Sequence, residues 1–202
     1  DAGQCYSTTV VLGMATASGD CSTPVITNDA PVSGQFPVGV TIVTWKATDA
    51  CGNFATCTQT VTIHDNQPPV FTLGCPATTI TANAAAGQCN APVNVPAPAV
   101  SDPCGELVTL THNSPYSTNT TDANGTYPVG TTTVTWTATD TSSNTTTCTQ
   151  TIVVTDTTAP TITCPPAATA TVADNECFTL PLNLGTPVVT DNCAPPATVI
   201  VT

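Results

Sequence analysis

From Val43 to Ala47 the apolar side chains Val43, Trp45 and Ala47 alternate with Thr44 and Lys46. The same face returns 91 residues later as Val134, Trp136 and Ala138, while the interleaved Lys46 is replaced by Thr137. One apolar face with a period of two describes a half-buried antiparallel strand. The pattern therefore predicts Trp45 and Trp136 as one core aromatic per copy. A second alternating run follows, with Cys57, Val61 and Ile63 expected inward and Thr58, Thr60, Thr62 and His64 outward. The short segments "DACGN" and "DTSSN" between the paired runs carry turn residues and predict a hairpin in each copy.

The duplication extends beyond the hairpin. Cys75-Pro76 returns as Cys164-Pro165, and "GQC" ending at Cys5 returns at Cys89 and, as "NEC", at Cys177. Each is followed by a further cysteine, Cys21, Cys104 and Cys193 respectively. A period near 88 residues exceeds the short solenoid periods and matches one small domain. The register divides the chain into residues 1–64, a first repeat without its opening strand; 67–156, a second repeat; and 159–202, the opening strands of a third. An excerpt of a longer tandem protein is the expected context.

Composition narrows the class. Threonine supplies 46 of 202 residues, and with Val, Ile and Pro leaves little that favours helix, so the chain is expected to be all-β. Charged residues make up 7%, with one Lys or Arg in total and a net charge of −12. Nucleic acid is excluded as a partner, because phosphate neutralisation takes clustered Lys and Arg. No 18-residue apolar run marks a membrane-inserted segment. Eleven cysteines at period-locked positions point to an oxidising, extracellular setting. With 4% aromatics, a unit of this size has a thin core and gains much from disulfides.

In order, "CP" at Cys75, "GQC" at Cys89, "SDPC" at Cys104, "GTYPVG" from Gly125, "TTVTWTATD" ending at Asp140, and Cys148 resemble the hyalin repeat, an immunoglobulin-like extracellular module. The resemblance covers essentially the whole chain. It departs at Pro103, at the "SSN" turn and at the added Cys51. It implies tandem immunoglobulin-like β-sandwich domains, stabilised by disulfides and arranged end to end, with adhesion or structural roles and no catalytic residues. All eleven cysteines, Cys5, Cys21, Cys51, Cys57, Cys75, Cys89, Cys104, Cys148, Cys164, Cys177 and Cys193, are candidates for bonding. Their connectivity stays open. Cys21 with Cys51 suits neighbouring loops of a sandwich, Cys89 with Cys104 is a local alternative, and a bond from one repeat to the next is a third.

No catalytic constellation emerges. His64 lies on an outward face where the second copy has Thr155, and His112 has no periodic counterpart. The aspartates are more informative, because a chain poor in charge keeps them at fixed phases: Asp49 and Asp140, Asp102 and Asp191, Asp65 and Asp156. Asp65, Asp102 and Asp140 form a candidate Ca²⁺ set, weighed against simple turn capping by side-chain carboxylates. No other cofactor is expected. Asn119, Asn124 and Asn144 head N-glycosylation sequons. Two functions suit these features: an extracellular stalk or filament whose partners are further copies of the same repeat, and an adhesin whose loops, such as His112 to Gly125, hold a glycan or protein.

Overall fold

A computed structural model describes residues 1–202 except 2, 20–21, 74–78, 173, 176–183 and 194–202. Every regular element described is a strand, as the β-branched composition predicts. The first repeat supplies β1 (Tyr6–Ser7), β2 (Val25–Asn28), β3 (Phe36–Pro37), β4 (Gly39–Thr48) and β5 (Phe54–Ile63). β2, β4 and β5 form an antiparallel sheet in that order, and β1 pairs with β3. The predicted hairpin is the β4–β5 pair, with Trp45 opposite Cys57 and Val43 opposite Gln59.

The second repeat repeats this plan and adds to it. Its strands are β6 (Val70–Phe71), β7 (Ile80–Asn83), β8 (Asn90–Val93), β9 (Val100–Ser101), β10 (Thr109–His112), β11 (Gly125–Pro128), β12 (Gly130–Thr139) and β13 (Thr145–Thr155). The sheet order is β10-β12-β13-β7, with β7 parallel to β13, while β8 pairs with β11 and β6 with β9. Beyond residue 156, β14 (Thr161–Thr163) pairs with β15 (Val188–Thr190). The hairpin turn needs one left-handed residue in both copies. Gly52 fills it at φ 88°, and Ser143 accepts φ 72° in the second.

Spatially the described residues form two compact units. One comprises Asp1–Cys75, Pro98–Thr111 and Trp136–Cys148; the other comprises Pro76–Ala97, His112–Thr135 and Thr149–Thr202. In the first, Phe36, Val43 and Val61 are buried, with Val10, Leu12, Ala30, Trp45 and Ile63 packed against them. Trp136 and Ala138 are wholly buried there, as the alternation predicts. Trp45 is only half-buried, and its Nε1–H donates to Gln59 Oε1 at 3.0 Å. Cys57, expected inward, is exposed. The sheet of β2, β4 and β5 has no described counterpart of β7. Trp45, Ala47 and Cys57 accordingly line an open cleft of about 500 Å³ instead of a closed core.

In the second unit, Ala91, Val93, Val95, Ala123, Tyr127, Val134, Ile152 and Val154 are buried. The segment from His112 to Gly125 is fastened down rather than loose. Tyr127 donates its hydroxyl to the Ala123 carbonyl at 2.6 Å and accepts one from Ser114 at 2.9 Å. Gly125 is required where it stands, since a Cβ there would sit 2.1 Å from the Tyr116 carbonyl oxygen.

Two disulfides have the same connectivity one repeat apart. Cys5 is bonded to Cys104, and Cys89 to Cys193. Each joins the cysteine of a Gly-Gln-Cys segment to an Asp-x-Cys cysteine, 99 and 104 residues further along the chain. The local pair Cys89 with Cys104 does not form. Cys148 is also in a disulfide. Cys51, Cys57 and Cys164 are exposed free thiols and depart from the expectation that all eleven are bonded, because a bridge needs Cα atoms within about 7 Å and no such partner sulfur is described beside them. Cys21, Cys75 and Cys177 lie outside the described residues, so the suggested Cys21 with Cys51 pair does too.

Candidate functional site

The aspartates at fixed phases all do one local job in common. Asp49 Oδ1 accepts the Asn53 backbone N–H at 2.8 Å and its Oδ2 accepts the Asn53 side chain at 3.0 Å. Asp140 repeats this with Asn144 at 2.8 and 2.9 Å. These bonds hold Asp49 below the usual carboxylate range, with the Asn53 side-chain bond the largest cause. Asp102 Oδ1 accepts from the backbone of Cys104 at 2.7 Å and Glu106 at 3.3 Å. Asp65 Oδ1 accepts from Gln67 at 2.9 Å, and Asp156 repeats that turn with Thr158. Turn capping is therefore real at every position.

At one place the capping residues also converge. Asp65, Asp102 and Asp140, the set expected from the sequence, are all buried, at 7%, 9% and 5% relative exposure. Asp65, Glu106 and Asp140 each offer a carboxylate oxygen within 4.8 Å of the others. Asp65, Asp102 and the Cys104 sulfur form a second such group, which shares Asp65. That sulfur is already spent in the bond to Cys5, so the donors here are oxygens. Asn144 knits the cluster, its Nδ2 donating to Asp140 Oδ2 and to the Asp65 carbonyl at 3.3 Å. Of the three sequon residues, Asn144 has its amide nitrogen engaged by Asp140 and Asp65, Asn119 is exposed with its Nδ2 donating to Asp122 Oδ2 at 2.7 Å, and Asn124 is exposed.

Glu106 was not read from the sequence. It accepts from the Thr141 hydroxyl at 2.5 Å and from the Ser142 backbone and hydroxyl at 2.9 and 2.8 Å. The Thr141 bond, then those from Ser142, hold its carboxyl below the ordinary value against the neighbouring charge of Asp140. The junction is locked alongside by the Cys5–Cys104 bond, with Gln67 Nε2 lying 3.2 Å from the Cys104 sulfur.

The histidines stand apart from this cluster. His64 is exposed, as its outward phase predicts. His112 Nδ1 accepts the Ser114 backbone N–H at 3.1 Å, which leaves Nε2 to donate to the Asn119 carbonyl at 2.8 Å. It braces the loop.

A disulfide-linked tandem of β-sheet repeats, with acidic turns at a repeat junction, is the class of protein that fold and site define. Comparison with known sequences makes it specific: the profile described as HYR domain matches residues 6–63 and 64–154, and the chain belongs to that family. Hyalin of Strongylocentrotus purpuratus is 36% identical over 111 residues, covering 54% of this chain and 8% of that protein. Hyalin of Lytechinus variegatus is 34% identical over 135 residues, covering 65% and 24% respectively. The chain thus spans a small part of these relatives. Among solved structures, protocadherin gamma B2 extracellular cadherin domains 1–5 align with a TM-score of 0.40 at 12% identity over 88% of this chain and 39% of that one. The human desmocollin-1 ectodomain aligns at 0.32 and 15% identity over 85% and 37%.

Proposed function

We propose that the chain is a non-catalytic, extracellular structural segment of adhesion type, in which tandem repeats make a stiff stalk or filament. The observation that carries this reading is the recurrence of one disulfide connection, Cys5 to Cys104 and Cys89 to Cys193, from each repeat to the next. A covalent tie added to a short proline-containing linker such as "DNQPPV" removes hinge freedom at each junction. Disulfides persist outside the reducing cytosol, which supports the extracellular assignment. Among the described residues no helix is long and apolar enough to cross a membrane. Relatedness to hyalin at about one third identity agrees with a repeat module used in series.

Negative-stain imaging of native material tests the reading. Regular fibres or rods with an axial period of one or two repeats are expected. Compact monodisperse particles with saturable glycan or protein binding would instead favour an adhesin.

A further inference from the structure

The acidic cluster at the repeat junction has more in it than turn chemistry requires. At Asp49 and its counterpart Asp140 both carboxylate oxygens are satisfied, by Asn53 and Asn144 respectively. In Asp65 and Asp102, Oδ1 does the turn work while Oδ2 is buried from solvent and has no hydrogen-bond partner. Capping explains the first oxygen of each and not the second. Unpartnered buried acceptors are costly, and more so when charged. Both residues are more than nine-tenths buried, and Asp65 belongs to both groups of converging ligand atoms.

The chain also has no countercharge to offer. It contains a single Lys or Arg, and that residue, Lys46, lies 4.3 Å from the Phe54 ring centroid. The N-terminal ammonium donates to the Tyr6 carbonyl. Four carboxylates within one junction, in a chain of net charge −12, call for a cation from outside. The donors are all hard oxygens, with no histidine and with the adjacent sulfur oxidised, which disfavours zinc and copper. Oxygens within 4.8 Å of each other can flank one ion at Ca²⁺–oxygen distances of about 2.4 Å. Mg²⁺ demands a tighter octahedron and keeps its waters, so a cluster of buried carboxylates suits it less.

We propose that Asp65, Asp102, Glu106 and Asp140 hold one Ca²⁺ at this junction. The ion takes up the two orphaned oxygens and neutralises the cluster, and Asn144 and the Cys5–Cys104 bond keep the ligands in place. This site goes beyond the structural reading above and holds or fails separately from it, since a rod can form without metal and a compact monomer can bind it.

The test is calcium titration of the chelator-stripped, oxidised chain by calorimetry, with a thermal melt in calcium and in EGTA. An affinity on the order of 10⁻⁴–10⁻³ M is expected, the range of extracellular calcium modules. Asp65→Asn and Asp102→Asn should each weaken that uptake at least tenfold, while Asp122→Asn, outside the cluster, leaves it unchanged. Melting in calcium should exceed melting in EGTA for the parent chain alone. No saturable uptake up to 10-fold above that range, with identical melts, overturns the proposal. So does uptake indifferent to both substitutions at Asp65 and Asp102.

Discussion

Cys104→Ser is expected to lower the stability of the oxidised chain by ~4.7 kcal/mol, the chain-entropy value for opening a loop of about 100 residues. The magnitude follows from the separation of 99 residues between Cys5 and Cys104, far longer than the 15-residue loop that a local Cys89–Cys104 bond would close. Small domains have a net stability of about 5–15 kcal/mol, so the loss should move the denaturation midpoint well down the denaturant axis. Guanidinium unfolding of parent and variant, both kept oxidised, measures it. Cys51→Ser is the control, because its thiol is exposed and free, and it should leave the midpoint where it was. Equal midpoints for the parent and Cys104→Ser would mean that the bond constrains little.

Trp136→Ala should cost about 3–5 kcal/mol, the range for deleting a large buried aromatic. Trp136 is at 0% exposure on β12 and flanked on its own face by Val134 and Ala138, also at 0%. Trp45→Ala should cost clearly less, since Trp45 is half-buried and borders an open cleft. The two variants thus compare the same repeat position in a closed and an open setting. Denaturant melts followed by the remaining tryptophan separate them, and an equal loss in both would contradict the burial difference.

Much of this was legible before any coordinates. Two copies of one hairpin showed which face changes freely, so the buried set Val134, Trp136 and Ala138 could be read from alternation alone. The fixed phases of Asp65, Asp102 and Asp140 marked residues that the fold then buries together. Periodicity failed where a residue is not periodic. Glu106 has no acidic counterpart at the equivalent position of the other repeats, and its partners Thr141 and Ser142 stand where the first copy has Ala50 and Cys51. Alternation also misjudged Cys57, whose face is the same as that of Val61 but lies where no further strand is described over it. Disulfide pairing was hidden for a different reason. Sequence spacing ranks near neighbours first, whereas the fold brings together cysteines 99 and 104 residues apart.

The claim on which the rest depends is that each repeat is covalently tied to the one after it. Peptide mapping by mass spectrometry after peptic digestion at low pH, without reduction, reads this directly. Cross-linked peptides joining Cys5 to Cys104 and Cys89 to Cys193 are the predicted result. Peptides joining Cys89 to Cys104 within one repeat, or free thiols at all four positions, would contradict it.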